Sequence, residues 1–345
     1  LYEYAFSMTP AFPQPLNPWH AAKTSAGSSS GSAVAVATGM AHGSIGSDTG
    51  GSGRQPANVN GVVGLKGTYG LVSRHGVFPL SSSLDHVTVF GRRVLDTALL
   101  LEAIAGHDPR DEYSAMIEPP NLQATIGTGI RGLRVGRARG YTLEDIDPDV
   151  VAVMDDAFAV LRDLGAIVED VRLPYVEHCV ALQSSIMLPE AANIHYHTLR
   201  ESPDTLGETA LMRLDLGNVV PATAYIHAQQ VRKRMRDAFR EMFARHDVVV
   251  GPANAVRPGA AGEWTTEVGG RTIDLRQAGP EYTGIYNLAG NPAIVIPAGF
   301  SSEATPIGIQ IAGRWWDEAT VLQIAHAFEQ ATEWHLRRPP LPASS

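Results

Sequence analysis

Residues 27–54 are dense in glycine and serine, and no other stretch restricts how the chain can fold as strongly. Composition alone would make this segment a flexible linker. Its interior argues otherwise, because Ser32-Ala33-Val34-Ala35-Val36-Ala37 is small and apolar. That is the pattern of a closely packed, buried helix entered through a serine-rich N-terminus. The glycines beyond it need a separate reason. In Gly46-Ser47-Asp48-Thr49-Gly50-Gly51-Ser52-Gly53-Arg54 a serine stands behind two glycines, with an arginine two residues on. Consecutive N–H groups across Thr49, Gly50, Gly51 and Ser52 converge on one point only where side chains do not intervene and φ is free. Such a nest suits an oxyanion hole, with fixed dipoles aimed where negative charge develops. A structural Gly-Gly turn is the plain alternative.

Other patterns in the segment fare worse. Gly27-Ser28-Ser29-Ser30-Gly31 fits G-x-S-x-G, which would make Ser29 a nucleophile, but that elbow needs a strand before it and His20-Ala21-Ala22-Lys23-Thr24-Ser25 does not read as one. A phosphate-binding loop lacks its lysine, and Gly51-Ser52-Gly53 does not continue into a dinucleotide fingerprint. His195 and His197 with Glu190 have a common spacing and no compelling further ligand, so no metal is expected. His75 and His86 read as polar loop contacts.

The 345 residues carry a net charge of −9, with 44% hydrophobic and 18% charged residues, as in a globular protein with a sizeable core. The densest basic cluster, Arg232-Lys233-Arg234 with Arg236, lies in a helical pattern and reads as a solvated face, not a nucleic-acid patch. One cysteine, Cys179, excludes a disulfide framework and a zinc–thiolate site and is compatible with the cytoplasm. No apolar stretch approaches the roughly 20 residues that span a membrane, and no signal peptide is visible. Four prolines make 10–20 extended or turned. An apolar run at 61–65 and the segments 133–136, 167–171, 248–250, 293–296 and 307–311 read as strands. Helical patterns fall at 96–105, 147–164 and 317–332. Strands separated by helices, several apolar throughout, predict an α/β fold with a mixed, mostly covered β-sheet between helices. One domain over 1–345 is expected, with a helical excursion at about 175–245.

The stretch from Gly27 to Lys66, including Gly46-Ser47-Asp48-Thr49-Gly50-Gly51-Ser52-Gly53-Arg54-Gln55-Pro56-Ala57, resembles the signature of the amidase signature family. The likeness continues through Thr68-Tyr69-Gly70-Leu71-Val72-Ser73-Arg74-His75-Gly76 and Ser83-Leu84-Asp85-His86, and returns in Asn287-Leu288-Ala289-Gly290-Asn291-Pro292-Ala293 and Trp334-His335. The resemblance implies an α/β/α amidase fold and a Ser–Ser–Lys triad that hydrolyses carboxamides without metal or cofactor. The nucleophile falls on Ser52 and the bridging serine, which follows a cis peptide bond in the family, on Ser28. The oxyanion hole falls on the backbone of Thr49, Gly50, Gly51 and Ser52. Asp48 and Arg54 match positions that support the loop.

Two departures qualify this. None of Lys23, Lys66 and Lys233 matches the family's catalytic lysine, which precedes the bridging serine; because the sequence opens at Leu1 within structured-looking sequence, a lysine-bearing upstream segment is expected, with a catalytically deficient binding protein as the alternative. Gly67 and Gly53 replace a proline and an aliphatic residue and loosen the backbone beside the site. The expected protein is a cytoplasmic amide hydrolase acting on a small-molecule linear amide, with no nucleic-acid or membrane partner and a homodimer as a candidate assembly. The alternative is the A subunit of a glutamine-dependent transfer-RNA amidotransferase, disfavoured by the compact ending at 333–340. Substrate contacts are expected in 107–130 and 175–290.

Overall fold

The computed structural model describes residues 15–118, 120–141, 146–263, 265–268, 270–275 and 279–340. The opening residues 1–6 and the first two prolines of the 10–20 stretch lie outside them. Eight strands form one mixed sheet: β1 (Gly43–Asp48), β2 (Val63–Lys66), β3 (His86–Gly91), β4 (Arg134–Arg139), β5 (Ile167–Arg172), β6 (Val248–Pro252), β9 (Ala293–Phe300) and β10 (Pro306–Gly313). Their order is β1-β3-β2-β9-β10-β6-β4-β5. Strands β4, β5 and β6 run parallel, whereas β1, β3, β2, β9, β10 and β6 pair antiparallel along the rest of the sheet. A separate hairpin, β7 (Thr265–Val268) with β8 (Arg271–Asp274), stands apart from it.

Side-chain alternation assigns the faces. Val63, Leu65, Val89, Val248, Val250, Ile294, Ile296, Ile309 and Ile311 pack on one side with α3 (Val94–Ile104), α4 (Pro148–Asp163) and the C-terminal helix α10 (Glu318–Gln330). The intervening Phe90 and Val295 meet α1 (Ser30–Ala37) and α2 (Arg54–Asn60). Val249, Ala293 and Ala312 meet α5 (Cys179–Ile194) and α8 (Ala222–Phe243). Where both faces are covered, as in β6, β9 and β10, the strands are buried throughout and largely apolar instead of alternating, whereas β5 at the sheet edge is mostly exposed. Helix starts follow local chemistry: Asp147 caps α4 through Asp149 N–H with Pro148 in the first turn, and Asp317 caps α10 through Thr320 N–H. Helices α5, α6 (Tyr196–Glu201), α7 (Glu208–Asn218) and α8 fill most of 179–243, and the short, buried α9 (Ile285–Ala289) leads into β9.

Three elements beside the site carry no periodic signal. Strand β1 has the sequence GSIGSD, and α2 and β3 follow without a distinct apolar pattern. The outer edge of β1 is covered by serines, not by another strand. Ser32 Oγ donates to Ile45 O at 2.9 Å, and Ser29 Oγ lies 3.2 Å from both Ser47 O and Ser47 N. An open sheet edge thus gains hydrogen bonds from the helix that precedes it.

Candidate active site

The loop at 49–53 joins the end of β1 to the start of α2 and is built around Asp48. This fully buried carboxylate accepts from Gly51 N (2.7 Å), Gly53 N (3.2 Å) and Arg54 N (3.3 Å), and from Arg54 Nε and Nη2, both at 2.9 Å. Arg54 is itself fully buried; its Nη1 donates to Gln310 Oε1 (2.6 Å) and Thr283 O (2.9 Å), and its Nη2 to Asn287 Oδ1 (2.6 Å). Asn287 Nδ2 returns to Asp48 O at 2.8 Å. Burial alone would raise the Asp48 carboxyl, but the Arg54 guanidinium, helped by Lys66 and Asn287, holds it well below the usual carboxylate range. Asp48 and Arg54 are therefore committed to the network that shapes the loop.

Glycine is required where the loop meets its neighbours. Gly51 has φ +122°, and a Cβ there would stand 2.1 Å from Thr283 Oγ1. At Gly53 a Cβ would meet Thr88 Cγ2 at 2.4 Å, so the space of the expected aliphatic side chain is occupied by Thr88. Of the loop donors expected to face an oxyanion, Gly51 N–H is engaged by Asp48. No hydrogen bond within the described residues engages Gly50 N–H or Ser52 N–H.

The structure brings the two serine segments together. The Gly27–Ser28 peptide bond is cis, and Ser29 N donates to Ser52 O at 3.1 Å. Ser28 and Ser52 are both half-buried. Ser29, the nucleophile of the elbow alternative, has its hydroxyl engaged by the Ser47 backbone and is not preceded by a strand. A cavity of about 1040 Å³ opens beside Ser28 and Thr49, walled by Arg74, Asp85, His86 and Glu190; Ser52 does not line it. Its acidic walls are already bonded. Asp85 accepts from Thr49 Oγ1, Leu80 N and Ser81 N, and Glu190 from Ser81, Ser83 and Tyr225.

The remaining candidates separate cleanly. Lys23 pairs with Glu303. Lys66, on β2, is fully buried and donates to Gly67 O and Asn291 O; burial first, then Arg54, pushes its ammonium far below its ordinary value. Lys233 lies on the exposed face of α8. Among the described residues no lysine hydrogen-bonds Ser28. His86 is not a loop contact: it sits in β3, buried, with Nδ1 2.6 Å from Leu84 O, and burial first drives it well below its ordinary value. His195 is buried while His197 is exposed on α6, so the two do not share a site. Gln183, Thr283 and Gln310, which hold the loop from 134 to 256 residues away, carry no local sequence signal of that role, while Asn287 lies in a segment of family likeness that gave no hint of its contact with the loop.

The Amidase family profile matches residues 4–322. The chain belongs to the amidase signature family. Among its relatives, the A subunit of glutamyl-tRNA(Gln) amidotransferase from Carboxydothermus hydrogenoformans is 38% identical over 94% of this chain and 71% of its own length. The same-named protein of Gloeobacter violaceus is 37% identical over 97% of this chain and 72% of its own. The corresponding A subunit from Thermotoga maritima superposes with a TM-score of 0.79 at 34% identity, covering 93% of this chain and 69% of its own. The 6-aminohexanoate cyclic dimer hydrolase reaches 0.87 at 28% identity, covering 97% and 74%. A chain from a vestigial protein complex tied to the origins of an s-triazine catabolic enzyme reaches 0.88 at 31%, covering 95% and 71%. The fold is that of amidase signature enzymes, and members of the family are amidohydrolases.

These relatives correct one expectation. A small-molecule amide as sole partner, with nucleic acid set aside and a homodimer as the assembly, does not match relatives named as one subunit of an enzyme whose name carries a tRNA, nor a neighbour taken from a protein complex. The physical reason is that runs of charge do not map surfaces. In the basic cluster, Arg232 is buried and bonded to Leu288 O and Ser83 O, while Lys233, Arg234 and Arg236 are exposed. Among the described residues no helix is long and apolar enough to cross a membrane.

Proposed function

We propose that the chain cleaves a carboxamide with Ser52 as nucleophile and Ser28 as proton relay, and that it does so as the A subunit of an amidotransferase with glutamine as amide donor. The observation that carries the amide chemistry is the main-chain bond from Ser29 N to Ser52 O, which joins the two serine segments beside a glycine loop with uncommitted N–H groups. The choice of amidotransferase over a stand-alone amidase of linear amides rests on relatives of that name at 37–38% identity.

A serine hydroxyl attacks only as its proton leaves. In this reading a base takes the Ser28 proton and Ser28 takes that of Ser52, whose Oγ bonds to the carboxamide carbon. The carbonyl oxygen becomes an oxyanion facing the free N–H groups of the loop. Collapse breaks the C–N bond as the relay, run backwards, protonates the departing nitrogen; water then cleaves the acyl-enzyme ester.

Ammonia release from glutamine tests the reading, alone and with copurifying partner proteins. Ser52→Ala is expected to lower turnover by on the order of 10⁴-fold or more and Ser28→Ala to cripple it, both with unchanged thermal unfolding. A serine-directed covalent inhibitor is expected on Ser52; labelling at Ser29 would overturn the assignment. A folded chain that binds glutamine without releasing ammonia would favour the non-catalytic binding protein, and faster hydrolysis of simple linear amides than of glutamine would favour the stand-alone amidase.

A further inference from the structure

Gln183 lies on α5, 95% buried by its 5% exposure, and its side chain is wedged between two glycines. A Cβ at Gly50 would stand 2.0 Å from Gln183 Nε2, and one at Gly284 would stand 2.4 Å from Gln183 Oε1. Nε2 donates to Thr49 O at 3.4 Å, and only the amide nitrogen can face a carbonyl oxygen this way. Oε1 is buried with no partner among the described residues. The two peptides of the glycine loop are held very differently. The Gly50–Gly51 unit is fixed at both ends, its oxygen by Thr283 Oγ1 at 2.8 Å and its N–H by Asp48 Oδ1 at 2.7 Å. The Thr49–Gly50 unit is held by its oxygen alone, through Gln183.

In a trans peptide the C=O and N–H point in opposite directions, because the group is planar. Whatever fixes the Thr49 oxygen therefore also aims Gly50 N–H. We propose that Gln183 is a positioning residue, which orients the Thr49–Gly50 peptide so that Gly50 N–H is presented to the developing oxyanion. The inference rests on the reading that Ser52 attacks the amide, and it assigns a role to a side chain that touches no reacting atom. The absence of a side chain at Gly50 is what admits the Gln183 carboxamide to this contact.

The test compares the parent chain with Gln183→Leu and Gln183→Glu, using a fluorophosphonate whose P=O mimics the oxyanion. Losing one oxyanion donor typically costs about 10²–10³ in rate. Misaiming one is expected to slow Ser52 labelling by about 10–100-fold in Gln183→Leu. With glutamine, kcat is expected to fall while KM stays near the parent value. Gln183→Glu supplies the readout that a merely structural role would not move. Its protonated carboxyl can donate to Thr49 O and its carboxylate cannot, so labelling should recover as pH falls, unlike in Gln183→Leu. Equal labelling rates in parent and Gln183→Leu, or a flat pH profile for Gln183→Glu, would overturn the proposal. No labelling of Ser52 in the parent would count against the nucleophile assignment instead. A crystal structure of Gln183→Leu then decides the matter without catalysis: the Thr49–Gly50 peptide is expected to rotate, and an unchanged peptide plane overturns the role.

Discussion

Two buried carboxylates, Asp48 in the glycine loop and Glu329 on α10, are almost equally hidden from solvent yet titrate in opposite directions. Asp48 meets a guanidinium and three backbone N–H groups, and it stays ionised well below the usual carboxylate range. Glu329 caps the start of α3 through a single short bond from Val94 N at 2.8 Å, with Gln330 Nε2 at 3.4 Å, and burial pushes it up to about 7. Burial sets the penalty for the charge, and the number of donors decides whether the charge survives it. The contrast explains why the loop is an exacting scaffold. Its N–H groups at Gly51, Gly53 and Arg54 are committed to that charge, while no hydrogen bond among the described residues engages those of Gly50 and Ser52.

Removing the guanidinium should break the contrast most severely. Arg54→Met strands Asp48 as an unpaired buried charge, and a loss of about 3–5 kcal/mol is expected in denaturant unfolding; a loss below 1 kcal/mol would show that the backbone donors alone hold it. The pH dependence is the next largest effect, and its sign differs between the two sites. A carboxyl held low in the fold contributes stability above its unfolded value, so the Asp48 contribution persists through neutral pH and disappears in acid as pH falls below about 4. A carboxyl held high contributes stability only while protonated, so the Glu329 contribution is present below about 4.5 and lost as pH rises to about 7. Glu329→Gln, which keeps the acceptor and removes the charge, should therefore raise stability at pH 8 by about 1–3 kcal/mol and change little at pH 4. Equal effects at both pH values would place the cause in packing instead. The smallest effect is expected at the edge of β1, where Ser32→Ala removes one hydroxyl bond to Ile45 O and should cost about 0.5–1.5 kcal/mol in unfolding.

The middle of the sheet was legible because both of its faces are covered there. Val248-Val249-Val250 and Ala293-Ile294-Val295-Ile296 are apolar at every position, and α4 announces itself by period and by its Asp147-Pro148 start. Strand β1 was not legible, since GSIGSD becomes a strand only through pairing with β3 and the serines of the preceding segment. The site divides in the same way. The glycines stood out by their local pattern, because close backbone approach demands glycine, whereas Ser28 and Ser52 were named through the family resemblance of the segment around them. The roles of Gln183, Thr283, Asn287 and Gln310 could not be named, even with Asn287 inside a segment of family likeness, because each meets the loop only after the chain has folded back across it.

By itself, then, the sequence determined the α/β class, which periodicity carries, and the family resemblance, which implied the serines worth testing because the signature lies in adjacent residues. The tertiary structure decided which N–H groups remain free, which carboxylates keep their charge and which distant amide aims the loop. Those outcomes depend on donors counted around a point in space, and that count is set by residues as far apart as Asp48 and Asn287.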